Sequence, residues 1–191
     1  MFGSKPPRST DTVIAQLTKK HSKLLKGDEQ FVAVCDAFGA DEAHPTPIGD
    51  GHKARDFETL PAANQLQADA AAHLRVSAVR STLGMEDEEF SELPPSRTGY
   101  LLAHTNQRMF IFDGTGKTYQ LQAPVEGLWL QPVDHGDGLY TLVFNNGDER
   151  VALCTRRESV EMARQFIATF PDRRGQARIV TLSSRPDIIE F

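Results

Sequence analysis

The chain has 191 residues, two cysteines and a formal charge of −5, a length that suits one domain with extensions and a core of adequate size. No apolar run reaches the ~18 residues of a membrane-spanning helix. Charge is unevenly placed, with net +5 over residues 1–26, net −12 over 27–154 and net +2 over 155–191; so acidic a middle argues against nucleic acid, whose phosphates need a continuous basic surface.

Met1 to Ser9 is a Pro-containing lead without the apolar stretch of a secretory signal, so none is expected and Cys35 and Cys154 read as buried thiols of a reducing cytoplasm. From Asp11, an N-cap candidate, a helix is expected to about Lys26, with Gly27 as its C′ residue. Val13, Ile14, Leu17, His21, Leu24 and Leu25 form its apolar stripe, and Lys19, Lys20, Lys23 and Lys26 lie outside it. Two readings compete: the stripe packs on the domain and the lysines are its solvated face, or the helix lies on an anionic membrane surface. Phe31 to Phe38 reads as the first strand, with Phe31, Ala33 and Cys35 on one face and Val32 and Val34 on the other.

Residues 40–97 read as an insertion. A turn-rich loop with Pro45, Pro47, Gly49 and Gly51 leads into a helix from about Pro61 to Leu83, carrying Ala72, Val76, Val79 and Leu83 at helical spacing. Gly84 is its expected stop, Glu86-Asp87-Glu88-Glu89 is an acidic run, and Pro94-Pro95 returns the chain. A loop of this length with its own helix is a partner surface or a cover for an open sheet edge.

The next stretch is a strand series: Tyr100–His104, Arg108–Phe112, Tyr119–Leu121 ended by Pro124, Gly127–Gln131, Leu139–Phe144 and Val151–Leu153. Turn chemistry separates them at Thr105-Asn106-Gln107, Asp113-Gly114-Thr115-Gly116, Asp134–Gly138 and Asn146-Gly147. Tyr140, Leu142 and Phe144 share one face, with Thr141 and Val143 on the other. A helix over 155–170 follows, with Thr155 and Glu158 spaced as a capping box and Val160, Ala163, Ile167 and Phe170 as its stripe. Pro171 stops it; Ala177–Leu182 reads as an edge strand and Ile188-Ile189-Glu190-Phe191 as a docking tail.

This series resembles a bacterial pleckstrin-homology-like (PH-like) domain. The segment from Gly99 to Phe112, with Thr105-Asn106 and Arg108 at its turn, is similar to that family's Gly-x-hydrophobic-x-x-Thr-Asn-x-Arg-hydrophobic hairpin. The resemblance covers about residues 28–170 and implies an α+β, mainly β fold: an antiparallel barrel of about seven strands closed by a C-terminal helix. Two departures stand out. The sole Trp, Trp129, lies in a strand and not in the closing helix, where eukaryotic members often carry one, and the 40–97 insertion separates the first two strands. Phosphoinositide-binding relatives use several Lys or Arg around that first loop, whereas Lys53, Arg55 and Arg97 here stand among many acids, so lipid recognition does not carry over. Arg108 matches the family hairpin, with an expected structural role.

No other pattern carries chemistry. Gly114-Thr115-Gly116-Lys117-Thr118 ends like a phosphate loop, but Ile111 stands where its first glycine belongs and a strand follows in place of a helix. His44, His52, Asp56 and Glu58 have no compact metal-binding spacing. His73, His104 and His135 fall on different elements, and without a nucleophile elbow they imply no triad. Asp134, Asp137 and Glu149 suit turns better than paired acid–base work. The sequence therefore reads as a cytoplasmic, non-catalytic protein-interaction or scaffold module with no cofactor, metal or nucleic acid, able to self-associate. Its organisation is a lead and helix over 1–27, the domain over 28–170 and a tail over 171–191. Peripheral membrane attachment through the N-terminal helix is the alternative.

Overall fold

The computed structural model describes residues 9–39, 78–85, 90–91, 93, 99–117, 119–136 and 138–178. Most of the expected 61–83 helix, the acidic run, Pro94-Pro95, His44, His52, Asp56, Glu58, His73, Asp137, Lys53, Arg55, Arg97, the lead to Arg8 and the tail beyond Arg178 lie outside these residues.

The fold is α+β and mainly sheet. Helix α1 (Thr10–His21) precedes β1 (Phe31–Gly39); residues 78–83 are helical (α2). Then come β2 (Tyr100–Thr105), β3 (Arg108–Asp113), β4 (Tyr119–Pro124), β5 (Trp129–Asp134), β6 (Tyr140–Asn145) and β7 (Arg150–Thr155). Helix α3 (Val160–Thr169) and the two-residue β8 (Ala177–Arg178) are the last described elements. The eight strands form one sheet in the order β4-β3-β2-β1-β7-β6-β5-β8. The sheet is open: among the described residues its ends, β4 and β8, do not pair, so the closed seven-strand barrel of the sequence reading gives way to an eight-strand ladder. Hairpins join β2 through β4 and β5 through β7, while β1 sits between β2 and β7 and links the two halves.

One face of the sheet holds α3. Cys35 of β1, Leu102 of β2, Ile111 of β3, Leu130 of β5, Leu142 of β6 and Leu153 of β7 share a buried cluster with Ala163, Phe166, Ile167 and Phe170. Strands from both halves meet one short helix, so the sheet bends around it. Phe166 is at the centre, edge-on to Phe144 and to His104. The stripe read from sequence omits Phe166 and includes Val160, which is only half-buried.

The other face is covered too. On the β1–β3 half, Val13 and Leu17 of α1 pack against Val34, Leu101, Phe110 and Phe112, so the apolar stripe of α1 is used inside the molecule. On the β5–β7 half, Val79, Met85 and Phe90 cover Val133, Val143, Ala152 and Cys154. Every residue of β2 and β6 is consequently buried. Gly84 ends α2 as expected: at φ +65° its N–H donates to Ser81 O while Met85 N–H donates to Arg80 O, a Schellman turn.

Local chemistry corrects several boundaries. Ser9, not Asp11, caps α1, its Oγ accepting from Thr12 N at 3.3 Å, and the helix ends at His21, with turns up to Leu24. A bulge between Phe31 and Ala33 breaks the alternation of β1 and sends Phe31 to the α1 side, away from Ala33 and Cys35. The 155–170 helix starts later. Thr155 ends β7, and its hydroxyl accepts from Tyr140 N at 3.0 Å, so no capping box forms. A 3₁₀ turn over Arg157–Ser159 intervenes, and Ser159 donates to Asp36 Oδ2 at 2.9 Å instead of capping α3.

Candidate interaction surface

Arg108, the cation of the β2–β3 hairpin, is consumed within the fold. Its Nε donates to Glu29 Oε1 at 2.9 Å and Nη2 to Glu29 Oε2 at 2.6 Å; Nη1 reaches Gln122 Oε1 at 2.6 Å and the guanidinium lies 4.8 Å from the Phe110 ring centre. Thr105 Oγ1 donates to Glu29 Oε1 at 2.7 Å and accepts from the N–H groups of Gln107 and Arg108, closing the hairpin turn. Lys26 N also donates to Glu29 Oε2, and Asn106 Oδ1 accepts from Gln30 N. Burial alone pushes the Glu29 carboxyl up, but the bonds from Arg108, Thr105 and Lys26 and the Arg108 charge outweigh it and hold the group at about 2. This cluster ties the α1–β1 connection to β2–β3; its role is structural, as expected of Arg108. Glu29 itself has no sequence signal, since an acid after Gly27-Asp28 looks like any loop charge.

The three described histidines and both cysteines are also occupied internally. His104 Nδ1 stands 3.2 Å from Thr105 O and Nε2 3.0 Å from Thr169 Oγ1, so both ring nitrogens have polar partners within the fold; burial lowers its pKa against the raising effect of the Thr105 carbonyl. His21 bonds Gly116 O and His135 bonds Thr141 Oγ1. Cys35 and Cys154 are unbridged and lie on opposite faces of the sheet, and burial, with the Asp36 charge second, pushes the Cys35 thiol well up. Gly114 to Gly116 form the β3–β4 turn, with Gly116 at φ +64° and Lys117 N donating to the Asp113 carboxylate. Among the described residues no group of three or more His, Cys, Asp or Glu is placed to hold a metal ion. No described helix is long and apolar enough to cross a membrane. Lys19, Lys20, Lys23 and Lys26 are exposed, but Val13 and Leu17 of the same helix are buried against the sheet.

What the fold leaves open is sheet edge. The β4 edge is guarded: the strand carries a register irregularity opposite Ile111/Phe112 and ends in Pro124. It also shows Leu121, 41% exposed and the one large hydrophobic so exposed among the described residues.

The β5 edge behaves differently, because a later stretch of the same chain lies along it in parallel. Leu130 N donates to Asp172 O and Arg174 N to Leu130 O, both at 2.9 Å; Val133 and Asp134 then pair Ala177 and Arg178. Between these two points stands Pro132. On the side facing 172–178, alternation along the strand places Leu130, Pro132 and Asp134, and proline has no N–H to give. The ladder therefore breaks in the middle. Side chains supplement it: the Arg174 guanidinium lies 4.5 Å from the Trp129 ring centre, Gln131 Nε2 donates to Gly175 O, Gln176 Nε2 donates to Asp134 Oδ2 at 3.1 Å, and Arg178 Nε stands 3.7 Å from the same oxygen.

No protein-family model matches the chain, and no curated protein or solved structure matches it either.

Proposed function

We propose that this protein is a non-catalytic protein-interaction module built on a PH-like domain, and that β5 is its strand-acceptor edge. Seven neighbouring antiparallel strands with a helix after the last one, packed against both halves of an open sheet, support this reading of the fold. The observation that carries the functional reading is the seating of residues 172–178 on β5 through main-chain hydrogen bonds. An edge that takes an extended segment of its own chain has the donors, acceptors and side-chain contacts to take one from elsewhere. Membrane attachment ranks second, since only the exposed lysines of α1 are left for it. The test is a selection of random extended peptides against the full chain, with bound sites located by hydrogen exchange. Enriched peptides that slow exchange at Leu130 and Asp134 are expected; failure to enrich any, or protection confined to other elements, removes the reading.

A further inference from the structure

We infer that residues 172–178 are an internal strap that competes for the β5 edge, and that they mimic the natural ligand: an extended basic segment of another protein with two cations four positions apart and a small residue before the second. The inference rests on the strand-acceptor reading above. The strap supplies the pattern directly, as Arg174-Gly175-Gln176-Ala177-Arg178. Arg174 covers Trp129, Arg178 approaches Asp134, and Ala177 is the half-buried member, packed beside the Val133 and Val143 cluster. A larger side chain at 177 has Val133 and that cluster to displace.

The strap is weakly held. Pro132 interrupts its ladder, residues 171–176 and Arg178 are exposed, and only Ala177 joins an apolar cluster. Segments fastened by few buried contacts open at low free-energy cost. Tethered to α3 through Pro171, however, the strap is present at a local concentration on the order of millimolar, so an outside ligand meets an edge that is free only part of the time and binds with a correspondingly reduced apparent affinity. Trp129 is the sole tryptophan of the chain and lies under Arg174, so its fluorescence reports strap occupancy.

The experiment uses the full chain and a fluorescent synthetic peptide of residues 171–178, Pro-Asp-Arg-Arg-Gly-Gln-Ala-Arg. Binding is measured by anisotropy to the wild type, to Arg174→Glu/Arg178→Glu, and to that variant with Trp129→Ala added; circular dichroism checks each fold. The two arginines are exposed, so the charge reversal leaves the core intact. The strap-weakened chain is expected to bind the peptide about tenfold more tightly than wild type, the worth of one or two cation contacts. Adding Trp129→Ala is expected to weaken that binding about tenfold, the worth of the lost cation contact. Equal affinity for the first two chains overturns the strap and leaves the acceptor edge standing. No saturable binding to either overturns both, and binding indifferent to Trp129→Ala places the peptide elsewhere and does the same. A wild-type dimer by light scattering that becomes monomeric in the charge-reversed chain assigns the strap to exchange between copies and overturns the outside-ligand reading.

Discussion

Glu29 and Arg108 form a two-pronged ion pair in which the glutamate side chain is fully buried and the arginine side chain is 14% exposed. The two are 79 positions apart in sequence, and between them they fasten the α1–β1 connection to the β2–β3 hairpin. Removing one partner leaves the other charged and without its counter-ion in the interior, which costs about 3–5 kcal/mol in comparable cases, whereas removing both charges together costs much less. Arg108→Met is therefore expected to lower the stability measured by urea unfolding by that amount, and Glu29→Gln/Arg108→Met to recover a large part of it. Additive losses in the double-mutant cycle would show that the pair is not coupled.

The same pair sets an acid limit. Glu29 titrates at about 2 in the fold against an ordinary 4.5, so its carboxylate contributes stability that is complete above 4.5 and is lost as pH falls from there towards 2. The linkage corresponds to about 3 kcal/mol across that window. In Glu29→Gln the stability–pH curve is expected to flatten between pH 4.5 and 2, whatever its absolute height. A curve parallel to wild type over that range counts against the assignment.

His104 acts in a separate window. Its pKa in the fold lies below the ordinary 6.5 because burial disfavours the cation. The unfolded chain therefore takes up the proton first, and stability that is complete above pH 6.5 declines as pH falls through 6.5 towards the lower folded value. His104→Gln, which keeps polar atoms near Thr169, is expected to remove the slope just below pH 6.5 while leaving the Glu29 window in place. A wild-type curve that is level from pH 7 to 5 sinks the prediction.

Two glycines with similar backbone angles separate conformational cost from crowding. Gly99 has φ +73°, and a Cβ there would stand 2.7 Å from Ala37 O and 2.9 Å from the Arg156 guanidinium; Gly127 has φ +79° with open space around it. Gly127→Ala is expected to cost about 1 kcal/mol, the left-handed penalty alone. Gly99→Ala adds displacement of the β1 backbone and is expected to cost about 2–4 kcal/mol by thermal or urea unfolding. Equal losses would mean that β1 yields freely at Ala37.

Phe166 sits where strands of both halves of the sheet share one buried cluster with α3. It is fully buried against His104, Phe144 and Phe170. Phe166→Ala is expected to cost about 3–5 kcal/mol, and Val160→Ala, at a half-buried site, under ~1.5 kcal/mol. The reverse ranking would move the centre of the core to the start of α3.

The strand series was legible because turns and alternation are local: Asn146-Gly147 and the Tyr140/Leu142/Phe144 face stand where the pattern places them. What local pattern does not carry is competition between partners. Thr155 and Glu158 have capping-box spacing, but β7 claims Thr155 through its pairing with Ala37 and the Tyr140 N–H. Phe31 alternates with Ala33 in sequence, yet one bulge reverses it. Phe166 falls three residues after Ala163 and four before Phe170, so the helical period contains it as well as it contains Val160 and Ile167, and pattern alone does not rank them. The β5 edge was invisible for a different reason. Pro132 says only that its strand belongs at an edge, and which segment comes to lie there depends on a chain reversal after Pro171.

The mid-sheet place of β1 bears on how the protein is made. Its neighbours on the two sides, β2 and β7, are both synthesised long after it. Until they emerge, the apolar run Phe31–Phe38 has no ladder to join, and contacts this distant along the chain form slowly. A nascent polypeptide halted before β2 therefore displays a sticky, unpaired ribbon of the kind chaperones bind; one halted before β7 still lacks the partner of Ala37–Gly39, so truncations on the C-terminal side should show up as insoluble product well before they show up as altered binding.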